Sequence, residues 1–119
     1  MKKVILDMDP GVDDAAAISV AVNRIDLDIQ LITTVAGNVS VDKTTNNTLK
    51  LLEFFGKTNI PVASGAKSPL KKEFKDASDI HGTTGMPGYD FPEPTTKPID
   101  KDAVEAIHDV LQNSEGKIT

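Results

Sequence analysis

Four aspartates crowd into eight residues near the start of the chain, Asp7, Asp9, Asp13 and Asp14. An even spread of the 18 acidic residues over 119 positions would put about one there. Carboxylates this close repel one another, and their pKa values rise unless a positive group joins them. The first 42 residues contain only three basic side chains, so a hard divalent cation with oxygen ligands, Ca²⁺ or Mg²⁺, is the natural neutraliser.

Part of this acidic string also has a purely structural interpretation. Asp13 and Asp14 stand where a helix would begin, and acids in a first turn favour the helix dipole. Asp7 and Asp9 are harder to explain in this way, because strands disfavour aspartate. Residues two apart in a strand point to the same side, so Asp7 and Asp9 are predicted to project together while Met8 points away. The string as a whole therefore favours a functional site.

The remaining composition limits the classes of partner and cofactor. The net charge is −5, and without the four clustered aspartates it is −1, with no cluster of Lys and Arg that would favour a nucleic acid. The chain has no cysteine, which excludes disulfides, iron–sulfur clusters and thiolate zinc sites, so any metal must be held by oxygen or imidazole. The N-terminus lacks a secretory apolar region and no stretch reaches membrane-spanning length. A cytoplasmic protein without a membrane partner is therefore predicted.

Hydrophobic periodicity predicts alternating strands and helices. The predicted strands are 3–6, 29–35 and 60–63. The first two predicted helices begin at residues 13 and 41, and the third spans residues 100–112. This order with short connections is typical of an α/β fold, a mostly parallel open sheet with flanking helices, related to the Rossmann architecture. Ligands bind beyond the carboxyl ends of such strands, and both the aspartate string and Gly37-Asn38 lie there.

The predicted helix ends carry matching local signals. In the first helix Ile18 and Val22 share one face, and Arg24 is expected near the C-terminus, where a basic residue favours the dipole. In the second helix Ser40 is the expected N-cap and Gly56 the expected stop.

The segment 64–99 departs from this periodicity. It contains five of the seven prolines and half of the eight glycines, which predicts a long Pro/Gly-rich active-site loop. The last residues, 116–119, look like the approach to another strand. We therefore expect residues 1–119 to be the N-terminal part of one larger domain.

Three motifs in order carry a resemblance to a known family. The string Asp7-Met8-Asp9-Pro10-Gly11-Val12-Asp13-Asp14-Ala15 resembles the N-terminal signature of the inosine–uridine-preferring nucleoside hydrolases. Val35-Ala36-Gly37-Asn38 and then His81-Gly82 are similar to the next two landmarks of that family. Met8 stands where the family more often has a small residue, and the side chain is expected to alter packing rather than ligands.

The resemblance implies a calcium-dependent enzyme that cleaves the N-glycosidic bond of ribonucleosides. Asp9 would be both a Ca²⁺ ligand and the general base that takes a proton from a calcium-bound water. Asp14 would be a second Ca²⁺ ligand, and Asp7 would orient the attacking water or a coordinated group. The chemistry suits these residue types, because a carboxylate can activate the water that attacks an oxocarbenium-like sugar.

The same resemblance implies the substrate contacts and the assembly. Asp13 would accept a hydrogen bond from a ribose hydroxyl, and Asn38 would also hold the ribose. His81 would lie in the pocket near the base or the ribose. The family further implies a homo-oligomer, a dimer or tetramer, and the remaining Ca²⁺ ligands beyond Thr119.

Two other interpretations remain open at this point. A haloacid-dehalogenase-like phosphohydrolase would use Asp7 as the nucleophile with Mg²⁺, although Gly-Thr rather than Pro10-Gly11 usually follows its Asp-x-Asp. A truncated, non-catalytic α/β module that binds a sugar, a metal or another chain is the non-enzymatic alternative. A dinucleotide-binding domain is disfavoured, because no Gly-x-Gly-x-x-Gly follows the first strand.

Overall fold

The structure is a computed structural model that describes residues 2–37, 39–65 and 92–119. Within these residues three strands alternate with three helices along the chain. Their bounds are β1 (Lys2–Met8), α1 (Val12–Val22), β2 (Leu27–Thr34), α2 (Val41–Phe54), β3 (Val62–Ser64) and α3 (Ala103–Asn113).

The described strands form a parallel sheet in the order β1-β2-β3. The register aligns Met8 with Thr34 and Thr34 with Ser64, so the three strands end at one edge of the sheet. On the far side of β1, Ile118 makes a parallel bridge to Lys3, which extends the sheet as expected from the sequence. The predicted parallel α/β sheet is confirmed.

Helices cover both faces of this sheet. On one face Ile18 of α1 and Leu52 of α2 pack with Ile32 of β2. On the other face Ala106 of α3 packs with Leu31, the neighbouring residue of β2. Adjacent strand residues point to opposite faces, so one strand supplies apolar side chains to both layers. Both faces are used for packing, and the polar functional residues are left to the strand ends.

The helix ends agree with the sequence signals in part. Helix α2 begins after Ser40 and is followed by Gly56 with φ of 69°, a conformation that glycine adopts without steric cost. The Ser40 side chain makes no capping hydrogen bond. No helix within the described residues is both long and apolar enough to cross a membrane.

The prediction that Arg24 stabilises the end of α1 is wrong. The helix ends at Val22, and the side-chain Nδ2 of Asn23 donates to the Ser19 carbonyl at 2.7 Å. Arg24 lies beyond that turn and donates twice to the Asp26 carboxylate, at 2.8 and 2.6 Å. The nearby full charge of Asp26 attracts the guanidinium more strongly than the partial charge of a helix end.

The Glu53 carboxylate of α2 binds the C-terminal end of the predicted loop 64–99 through four hydrogen bonds. Its Oε2 accepts from the Thr96 hydroxyl at 2.6 Å and from the Thr96 amide at 3.0 Å. Its Oε1 accepts from the Thr95 amide and hydroxyl at 3.2 and 3.3 Å. The Ile99 amide then bonds to the Val62 carbonyl at 2.8 Å. Residues 66–91 of the predicted loop lie outside the described residues.

Glu53→Gln is expected to loosen residues 95–99, because an amide can accept at only one of its two terminal atoms. The hydroxyl and then the amide of Thr96 lower the pKa of the Glu53 carboxyl. A carboxyl whose pKa is lower in the folded than in the unfolded state stabilises the fold. This stabilisation is complete above the pKa of the unfolded state, about 4.3, and is lost as the pH falls through the pKa of the folded state. Hydrogen exchange at the Thr95 and Thr96 amides should rise several-fold in the variant.

The matched control for this prediction is Glu115→Gln, which removes an exposed acid close to the end of the chain. Its exchange at residues 95–99 should equal that of the unsubstituted protein. In an NMR titration the Thr96 amide signal should shift with a midpoint below about pH 4.3, and this transition should vanish in Glu53→Gln. Unchanged exchange together with an unchanged titration would contradict the proposed attachment.

Candidate active site

Asp9 and Asp14 meet at the end of β1. The strand ends at Met8 and α1 begins at Val12, so the connection is only three residues long. This short turn brings the first turn of α1 back onto the strand end, where Oδ2 of Asp14 accepts from the Asp9 backbone amide at 2.9 Å. Both side chains are half-buried. The Asp14 carboxylate is therefore held against the backbone of Asp9, five positions earlier in the sequence.

The turn after β2 comes directly against the Asp9 carboxylate. An alanine Cβ built at Gly37 would lie 2.0 Å from Oδ2 of Asp9 and 2.8 Å from its Cγ. Such distances are far below van der Waals contact, so Asp9 can occupy this position only because residue 37 has no side chain. The Val35 amide donates to the Met8 carbonyl at 3.1 Å, which holds the two strand ends together just before the turn. Gly37 thus forms one wall of the Asp9 site.

Asp7 lies inside β1, which continues to Met8. The sequence had predicted that this strand ends one residue before Asp7, at Leu6. Oδ1 of Asp7 accepts from the Thr33 hydroxyl at 2.8 Å, and Thr33 is its register partner on β2. An exposed carboxylate is tolerated in this strand because the neighbouring strand supplies a donor. Met8 packs toward the apolar layer that α1 and α2 cover, as predicted.

A layer of buried polar side chains on α2 supports both turns from below. Nδ2 of Asn47 donates to the Pro10 carbonyl at 3.1 Å. The Thr44 hydroxyl lies 3.1 Å from the Val35 carbonyl and 3.1 Å from the Val41 carbonyl of its own helix, and either can accept its proton. The Thr45 and Thr34 hydroxyls lie 2.7 Å apart. The sequence analysis did not identify these supports. The sequence feature that could have indicated them is a group of threonines and one asparagine on the buried face of α2, where the other buried residues are mainly leucines.

The other predicted site residues are only partly described. Asp13 lies in the first turn of α1, as expected, but its predicted contact with ribose falls outside what the structure describes. Asn38 and His81 lie outside the described residues. Their roles as ribose and pocket residues stay predictions.

The donor set at the strand end suits a hard cation. Asp9 and Asp14 offer carboxylate oxygens, the ligand type that Ca²⁺ prefers. Ca²⁺ takes six to eight oxygen ligands, and within the described residues no three His, Asp or Glu side chains group closely enough to hold a metal. Asp9 and Asp14 are therefore the two carboxylates that the described part of the chain brings to this strand end.

Comparisons with known proteins identify the family. The model of the family described as inosine-uridine preferring nucleoside hydrolase matches residues 4–119. The non-specific ribonucleoside hydrolase RihC of Klebsiella pneumoniae is 52% identical over 116 residues, and that of Salmonella typhi is 53% identical. Each alignment covers 98% of this chain and 38% of the relative, so the chain spans little more than a third of these proteins.

Solved structures agree with this assignment. The purine-preferring ribonucleoside hydrolase of Gardnerella vaginalis superposes with a TM-score of 0.88 at 32% identity, over 94% of this chain and 37% of that chain. The plant nucleoside hydrolase PpNRh1 also gives a TM-score of 0.88, at 40% identity, over 98% of this chain and 37% of that chain. With the motifs, the parallel fold and the family model in agreement over nearly all of its length, this chain belongs to the inosine-uridine preferring nucleoside hydrolase family.

Proposed function

We propose that the protein containing this chain hydrolyses the N-glycosidic bond of ribonucleosides, giving ribose and a free purine or pyrimidine base with Ca²⁺ as cofactor. The observation that carries the proposal is the convergence of Asp9, Asp14 and Gly37 at the strand ends of a chain that matches this family over residues 4–119. Family membership also favours this activity over the phosphohydrolase that the Asp7-x-Asp9 spacing alone would allow.

Asp9 and Asp14 are the residues that would hold the cation. Their carboxylates have the right chemistry, and the hydrogen bond from the Asp9 amide fixes the Asp14 carboxylate beside Asp9. When bound, Ca²⁺ lowers the pKa of a coordinated water and holds the sugar hydroxyls beside it.

Asp9 acts as the general base in the proposed reaction. Its carboxylate accepts a proton from the water that attacks the anomeric carbon, while the base leaves with the electron pair of the broken bond and takes up a proton. The ionised aspartates also stabilise the positive charge that develops on the ribose. Asp7, fixed by Thr33, orients the water or a group near it.

Substrate binding completes the proposal. Asp13 and Asn38 hold the ribose hydroxyls, and His81 lies near the ribose or the base. A homo-oligomeric assembly and a cytoplasmic location are further expectations that rest on the family resemblance and on composition.

The test is an assay of a full-length protein that contains this chain. It should release free base and ribose from inosine and uridine, and a chelator should lower the rate by about 100-fold, the loss expected when several kcal/mol of transition-state stabilisation disappears. Added Ca²⁺ should restore the rate. Failure to cleave a panel of purine and pyrimidine ribonucleosides would refute the activity, whereas full activity in chelator would refute only the role of Ca²⁺.

A further inference from the structure

We propose that Asn47 is a positioning residue for the Asp9 site. It lies on α2, is 2% exposed, and donates through Nδ2 to the Pro10 carbonyl at 3.1 Å. This inference rests on the proposed function, because it assigns Asn47 a role in holding the loop that would bind Ca²⁺ and activate water. Asn47 acts through Asp9 and does not itself contact the substrate.

The Pro10 carbonyl needs a donor from outside its own loop. Pro10 is fully buried, and it precedes Gly11, the N-cap of α1. The Gly11 carbonyl already accepts the first helical bond, from the Ala15 amide at 3.1 Å. The Pro10 carbonyl lies one residue before Gly11, outside the regular i to i+4 hydrogen bonds of α1. A buried carbonyl is costly without a partner, and Asn47 reaches it across 37 positions of sequence.

Helix α2 thereby fixes both turns that form the Asp9 site. Asn47 holds the turn after β1, and Thr44, one turn earlier on the same helix, contacts the Val35 carbonyl in the turn after β2. These turns carry Asp9 and Gly37, whose atoms are in direct contact. Because one helix contacts both turns, its position sets the distance between them. Loss of the Asn47 amide should therefore let the Asp9–Gly11 turn move relative to Gly37.

The test compares Asn47→Leu with Thr48→Val in a full-length protein that contains this chain. Thr48 is a matched control, because it is also buried on α2 but its hydroxyl bonds to the Thr44 carbonyl within the helix. Calorimetric titration with Ca²⁺ alone should show an affinity at least about tenfold weaker in Asn47→Leu, the usual range for losing a residue that orients metal ligands. Thr48→Val should stay within twofold of the unsubstituted protein.

The dependence of the rate on Ca²⁺ separates positioning from loss of fold. In Asn47→Leu the Ca²⁺ concentration for half-maximal kcat should rise by a similar factor, and saturating Ca²⁺ should recover part of kcat. A general loss of folded protein would lower kcat without this recovery. If Asn47→Leu does not fold, Asn47→Ala is measured against Thr48→Ala with the same expected differences.

The outcomes distinguish this inference from the proposed function. If the unsubstituted protein cleaves nucleosides in a Ca²⁺-dependent way and the Asn47 variants match their Thr48 controls in affinity and rate, only the role of Asn47 is overturned. If the unsubstituted protein neither binds Ca²⁺ nor cleaves nucleosides, the proposed function fails, and the inference fails with it.

Discussion

Asp9→Asn is expected to lower kcat for inosine and uridine by about 10³-fold or more in a full-length protein that contains this chain. Removal of a general base alone costs about 10²–10⁴-fold in rate. Asparagine keeps the volume that fits against Gly37, so the packing of the two turns should persist. It removes the negative charge, and with it both the proton acceptor and one proposed Ca²⁺ ligand. The free energy of unfolding should change little by comparison.

The matched control for Asp9→Asn is Asp42→Asn, which removes an exposed carboxylate from the first turn of α2. It should retain nearly full activity and Ca²⁺ affinity. The assays are release of base and ribose at saturating nucleoside, and calorimetric titration with Ca²⁺. Hydrolysis that survives both Asp9→Asn and removal of Ca²⁺ would contradict the mechanism.

Gly37→Ala is expected to lower the nucleoside hydrolysis proposed for a full-length protein that contains this chain, without unfolding it. The new Cβ would lie 2.0 Å from Oδ2 of Asp9, a clash that rotation of the Asp9 side chain relieves. It would also lie 2.9 Å from Cβ of Asp9, which requires a small shift of the backbone. A displacement of about 1 Å in a reacting group can cost about 10²-fold in rate. We therefore expect kcat to fall by about 10²-fold and Ca²⁺ affinity to fall as well, because we propose that Asp9 is both the general base and a Ca²⁺ ligand.

Gly56→Ala provides the comparison for Gly37→Ala. It makes the same chemical change at a positive φ of 69° with no atom within 4 Å of the new Cβ, so it should cost about 1 kcal/mol of stability through backbone strain. Its kcat should be unchanged when measured well below its melting temperature. Equal losses of activity in the two variants would mean that the effect of Gly37→Ala is general destabilisation.

Local sequence patterns were sufficient to predict the order of elements and their burial. The apolar spacing of Ile18 and Val22 predicted the face of α1 that packs on the sheet, and both residues are buried. Gly56 marked the end of α2. Residues 116–119 were predicted to approach another strand, and Ile118 makes a parallel bridge to Lys3 of β1. These features depend on residues a few positions apart, or on a period that the backbone imposes, so they can be read without knowing the fold.

Features that depend on a choice between partners were predicted less well. Arg24 could favour either a helix end or a carboxylate, and the carboxylate of Asp26 prevailed because α1 stops at Val22. β1 continues through Asp7 because Thr33 on β2 supplies a donor to its carboxylate. The sequence of one strand does not contain the information about which side chain stands beside it.

The sequence alone predicts that the aspartates and Gly37 lie at one edge of a parallel sheet, because the carboxyl ends of parallel strands meet there. The way in which they fit together depends on the tertiary structure. The contact of Asp9 with Gly37 depends on the register between β1 and β2, and the bond from Asn47 to Pro10 depends on how α2 packs beneath both turns. These contacts join residues about 30 or more positions apart. No local preference encodes them, since they arise only when chain packing brings both partners to the same place.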